Sequence, residues 1–222
     1  MIRNRLALAL VLACATLSVH ANERDVSKVN SGIDVEAGGQ YGSLDTVNGG
    51  IDIGANARVE SAETVNGGIE VGARAHTGTL ETVNGGIQID ENVTTTGGVS
   101  TVNGGIFVAR GGNIGGNVET VNGAIGLVDT DVSGGIETVN GDVTVGVGSH
   151  VRGGVHYSKQ NRPFISIGKR RIPRVIIGPN ARVDGPLRFE REVVLYVHST
   201  AKTGAITGAT AIRFDTPTPP EQ

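Results

Sequence analysis

Seven asparagines recur at nearly equal intervals: Asn30, Asn48, Asn66, Asn84, Asn103, Asn122 and Asn140. A carboxamide donates and accepts, so amides set one above another can hydrogen-bond in a continuous line. Such a line serves either to bind a ligand or to form a turn ladder that satisfies a buried polar group in every repeat. The surrounding glycines favour the ladder. Asp45, Glu63, Glu81, Glu119 and Glu137 each precede the threonine of one copy, and Ser100 interrupts the series. Stacked carboxylates either splay into water or share a divalent cation. Lys169, Arg170, Arg171 and Arg174 form a basic cluster suited to an anionic partner. His150 and His156 lie six residues apart without an evident carboxylate framework, which suits a surface role. The chain has no GxxxxGKS, no GxSxG, no paired metal-ligand histidines and no calcium-binding Gly-Gly-x-Gly-x-Asp repeat. The sequence therefore predicts a non-enzyme that needs no cofactor and no metal.

The elements that position these residues follow from the repeat. Thr-Val-Asn-Gly begins at Thr46, Thr64, Thr82, Thr101, Thr120 and Thr138, and Lys28-Val29-Asn30-Ser31 is a degenerate earlier copy. A fixed short period marks a stacked architecture. Ile51 and Ile53 flank Asp52 in the period-two pattern of a strand, and the Asn-Gly and Gly-Gly pairs are turn chemistry. A finer period of six joins Val29, Val35, Tyr41, Val47, Ile53, Val59, Val65 and Val71. Three six-residue sides make a triangular coil lined by small β-branched residues. The 35 glycines and the absence of tryptophan fit that narrow interior. The glycine after each asparagine is expected to supply the positive φ of a sharp corner. The 19-residue steps are expected to absorb one extra residue each at a bulged corner. The fold class is thus all-β: a single parallel β-solenoid, or β-helix, with coils of 18–19 residues.

The ends differ from the shaft. Residues 1–21 read as a signal peptide, with Arg3 and Arg5 ahead of a short apolar run and a small-residue cleavage site before Asn22. The alternative is a lipoprotein signal, with lipid attached at Cys14. Residues 22–150 carry seven regular coils. Residues 151–213 hold an irregular segment and two to four further coils. Residues 214–222 are proline-rich and predict a disordered tail. From Asn22 to His150 there are 5 Lys+Arg against 17 Asp+Glu; from Val151 to Gln222 there are 12 against 5. An acidic shaft with a basic end points to partners through charge. Nucleic acid is a poor fit for an exported chain without aromatics interleaved among its basic residues.

The repeated Thr-Val-Asn-Gly-Gly-Ile-x-Val resembles the adhesin-type β-solenoid domains of bacteria, with Val139-Asn140-Gly141-Asp142-Val143-Thr144-Val145 the nearest match. The resemblance covers about Lys28 to Val145. Val175 to Gly208 looks like the coils of bactofilins, which are cytosolic and polymer-forming; the signal peptide departs from that family. Both resemblances imply a right-handed helix, whereas the six-residue period alone also suits the left-handed hexapeptide helix of acyltransferases. Together with the export signal, the stacked coils predict a structural or adhesin-like scaffold in the bacterial periplasm or at the cell surface. Its partners would be an envelope polymer or anionic lipid headgroups. The alternatives are a self-assembling bactofilin-like filament and an enzyme acting on envelope polysaccharide.

Overall fold

A computed structural model describes residues 24–159 and 171–220. Residues 1–21, where a signal peptide is expected, with Cys14 among them, and Lys169 and Arg170 lie outside the described residues. Within them the chain is all-β, without a helix, and every strand pairing is parallel. One wall is a sheet of ten strands, one from each coil, from Ile33–Val35 at one end to Ala211–Phe214 at the other. At about 4.8 Å per strand, ten strands make a stack roughly 43 Å long. The other two walls form a 16-stranded sheet. In the first three coils each of its strands bends across both walls, as in Arg58–Asn66. Later coils split this strand at a glycine corner, as in Thr94–Thr95 and Val99–Asn103.

A complete coil turns six positions inward, two from each wall. In the second coil they are Ile51, Ile53, Ala57, Val59, Ala62 and Thr64. This corrects the six-residue register. Val35, Ile53, Val59 and Val71 are buried, but Val47 and Val65 are only half-buried and Val29 is exposed. In Thr-Val-Asn-Gly it is the threonine that points inward. Its hydroxyl donates to a backbone carbonyl at the preceding coil's corner: Thr64 to Gly49 at 2.8 Å and Thr82 to Gly67 at 2.8 Å. That bond makes a buried hydroxyl tolerable where valine was expected.

Two expectations about corners also change. The glycines after the asparagines are required by crowding. A Cβ on Gly67, Gly85, Gly104 or Gly123 would overlap the carbonyl oxygen of the matching glycine one coil earlier. Of the six glycines in this column only Gly141 has a positive φ, 146°. The regular left-handed position is at another corner and is filled by Gly38, Asn56, Arg74, Asn92, Gly111, Asp129, Gly148 and Asn180 in turn. The 19-residue step arises once and persists. Thr77 to Leu80 spans three residues, whereas the paired Thr95 to Val99 spans four, and later coils keep the wider corner. The return to 18 comes from Leu127–Val132, one residue shorter than the paired Val108–Ile114.

The C-terminal coils continue the same stack. Val143 and Val145 pair in register with Val175 and Ile177, although 32 residues separate each pair in sequence. The last strand of the seventh coil ends at Tyr157, and the next described strand begins at Arg174. Tyr157 and Phe189 occupy the inward position that threonine holds in earlier coils, with ring centroids 5.6 Å apart.

Candidate functional site at the end of the asparagine ladder

The asparagines form an unbroken ladder. Each Nδ2 donates to the Oδ1 one coil earlier, at 2.9–3.0 Å, from Asn48 on Asn30 through to Asn140 on Asn122. The ladder was expected to be buried. Asn30 to Asn122 are exposed instead, and Asn140 is half-buried. The strand turns the corner at this residue, so its side chain lies along the outer edge. Because all the amides point the same way, they polarise one another. The last Oδ1, on Asn140, is left without an amide partner.

Arg191 takes that place. Its Nη1 donates to Asn140 Oδ1 and, at 2.7 Å, to Val139 O. Around it, Tyr157 donates its hydroxyl to Gly141 O at 2.8 Å. Asp142 accepts from Arg171 Nη2 at 2.6 Å and from the Arg174 backbone N–H at 2.9 Å. The Arg174 guanidinium lies 5.3 Å from the centre of the Tyr196 ring. Burial pushes the Tyr157 hydroxyl far above the ordinary phenol range; the Asp142 carboxylate adds to this and Arg191 opposes it. Of the predicted basic cluster, Arg171 and Arg174 therefore meet at the ladder's end, tied to Asp142. Sequence reasoning missed Arg191 and Tyr157. Tyr157 stands in the threonine column 19 residues after Thr138, a signal that could have been read; Arg191 follows the insertion and carries none.

The acidic column is in register. Asp45, Glu63, Glu81, Ser100, Glu119 and Glu137 are successive neighbours, and His156 and Arg188 continue the line. Burial raises the carboxyls of Asp45, Glu63 and Glu81 above the usual range. Neighbouring carboxylates add to it: Asp25 on Asp45, Glu81 and Asp45 on Glu63, and Glu119 on Glu81. Among the described residues no group of three or more His, Cys, Asp or Glu is placed to hold a metal ion.

Both histidines gain the carboxylates that the sequence did not reveal. His150 Nε2 lies 2.7 Å from Asp184 Oδ2, and His156 Nε2 lies 3.2 Å from Glu190 Oε1. Each contact joins the seventh coil to the first coil beyond the insertion. Asp184 is held below the usual carboxylate range by the Arg182 hydrogen bond and then by His150. The Lys159 backbone N–H and then His156 do the same for Glu190.

A shallow groove runs along the ten-stranded wall. Gly68, Gly86, Gly105 and Gly126 contribute to it from consecutive coils, together with Glu70, Gln88 and Phe107, and Asp142 and Thr144 lie at one end. Phe107 is 46% exposed and packs beside Gly126. No protein-family model, curated protein or solved structure matches this chain.

Proposed function

We propose that this chain is an exported, non-catalytic β-solenoid acting as a structural or adhesin-like scaffold in the bacterial envelope. The observation that carries this reading is the groove on the ten-stranded wall, where consecutive coils offer equivalent positions about 4.8 Å apart. An extended polymer can lie there and meet the same backbone geometry at each step. Glu70, Gln88, Asp142 and Thr144 offer hydrogen bonds, and Phe107 offers an apolar face. Acidic and neutral groups of this kind suit a neutral polysaccharide better than an anionic one. Asp142 pairs with the Arg171 guanidinium and accepts from the Arg174 backbone N–H, so Arg171 leaves less free charge for lipid headgroups than the sequence suggested.

The test is co-sedimentation of the purified mature chain with insoluble envelope polysaccharide, measuring both retained protein and released sugar. Retention without release supports the scaffold. Release of soluble fragments replaces it with the enzyme reading, and absence of retention rejects a polysaccharide partner. Cell fractionation with labelled fatty acid decides between a cleaved signal peptide and a lipid at Cys14.

A second reading, an end-to-end filament of bactofilin type, is favoured by one feature. Among the described residues Ala211–Phe214 pairs only with Val194–His198, and Ile212 on that strand is 45% exposed. An open edge strand is a template for another copy.

A further inference from the structure

We infer that Asn140-Gly141 is a self-modification site, where the chain converts its own asparagine through a cyclic imide while the five equivalent Asn-Gly pairs stay intact. The reaction needs two things: a backbone nitrogen free to attack and a carboxamide carbon made electrophilic. The six pairs differ in both.

In the five earlier pairs the glycine N–H is committed. Gly49, Gly67, Gly85, Gly104 and Gly123 donate to the carbonyls of Asn66, Asn84, Asn103, Asn122 and Asn140, at 2.9–3.1 Å. Each Oδ1 in these pairs accepts from a neutral amide of the next coil. Attack would break the sheet bond and the ladder on both sides. At Gly141 the paired strand of the next coil has already ended at Tyr157, with one further backbone bond from Ser158 N–H to Thr138 O. Among the described residues the Gly141 N–H has no hydrogen-bond acceptor. The Asn140 Oδ1 is held by the Arg191 guanidinium instead of an amide. Arg171 stands nearby, its charge offset by Asp142.

The step balances with water alone. Gly141 N–H loses its proton to solvent hydroxide, and the nitrogen attacks Asn140 Cγ. Charge develops on Oδ1, the atom that Arg191 holds, in the manner of an oxyanion site. The Cγ–Nδ2 bond then breaks, Nδ2 takes a proton, and ammonia leaves. Water opens the resulting five-membered imide at either carbonyl to yield aspartate or isoaspartate. The net change is asparagine plus water to aspartate plus ammonia. An aspartate at this position sets a carboxylate opposite Arg191, so a neutral cap becomes an ion pair.

The experiment is peptide mapping by mass spectrometry of the folded chain aged at mildly alkaline pH, repeated in denaturant. In the folded chain, conversion at Asn140 is expected to be at least about tenfold faster than at Asn48, Asn66, Asn84, Asn103 or Asn122, a barrier difference of about 1.4 kcal/mol. In denaturant the six rates should converge. Equal rates in the folded chain overturn the inference, and so does a preference for Asn140 that survives in denaturant, since local sequence would then explain it. Arg191→Gln removes the charge and should slow conversion at Asn140 in the folded chain; an unchanged or faster rate contradicts the role given to Arg191.

Discussion

Arg191 donates to the Oδ1 of Asn140 and closes a ladder of seven amides from 51 residues further along the chain. The same nitrogen bonds Val139 O, so one side chain satisfies two acceptors at the point where the stack loses its regular next coil. Arg191→Ala should cost about 1.5–3 kcal/mol, the range for hydrogen bonds to a charged group. Hydrogen exchange should locate the loss in the coils around Asn140 and leave those around Asn66 unchanged. Uniform loss along the stack would contradict the capping role.

The ladder and the threonine column should respond differently to substitution. Asn84 donates to Asn66 and accepts from Asn103, but in contact with water. Asn84→Ala is therefore expected to cost only about 1 kcal/mol, and Asn30→Ala, which removes one bond, less. Thr82→Val leaves Gly67 O without its buried donor and should cost more, about 1–3 kcal/mol. Thr138 is equally buried, yet its Oγ1 has no partner among the described residues. Thr138→Val should be neutral or stabilising. Chemical denaturation of the four variants checks the order.

Stability should depend on pH through the acidic column. The carboxyl of Glu81 is raised by burial and by Glu119, so its ionised form is disfavoured in the folded state. The penalty is absent below the unfolded pKa, about 4.3, and develops as pH rises through the higher folded value. Glu81→Gln should raise the melting temperature at neutral pH and lose that advantage in acid. Asp184 and Glu190, both lowered, act in the opposite sense: their contribution is present above the unfolded values and is lost as pH falls. A Glu81→Gln variant with no advantage at neutral pH would show that the column is relaxed by solvent.

Arg74 holds a left-handed backbone, φ 60°, between Asn56 and Asn92 in the neighbouring coils. Asparagine tolerates this conformation better than arginine. Arg74→Asn should stabilise the chain by about 0.5–1 kcal/mol, less whatever is lost with the Arg74 Nε bond to Asn56. Thermal denaturation measures the net sign.

The stacked fold was legible because Asn-Gly returns at one place in every coil, and a mark of that kind survives small changes in step. The facing of side chains was not. Counting by sixes from Val29 runs across corners where strand alternation restarts, so it agrees with the interior at Ile53 and Val59 and fails at Val47 and Val65. Thr64 reads as polar and therefore outward, yet its acceptor, Gly49 O, is 15 residues away and belongs to another coil. The carboxylate partners of His150 and His156 lie 34 residues ahead, beyond an insertion whose length no periodicity fixes. Arg191 was hidden for the same reason.

The central claim, that the solenoid serves as a scaffold presenting repeated coils to an envelope polymer, is tested most directly by removing coils. Deleting Gly67–Asn84 joins Asn66 to Gly85 and preserves the Asn-Gly corner. Neighbouring coils make most of each other's contacts in such stacks, so the shortened chain should remain folded. The measurement is retention on insoluble envelope polysaccharide across a series lacking one, two and three coils. The scaffold account predicts a graded fall with each coil removed. Complete loss on removal of one particular coil would contradict it in favour of a single localised site, and undiminished retention throughout would place the binding surface elsewhere on the chain.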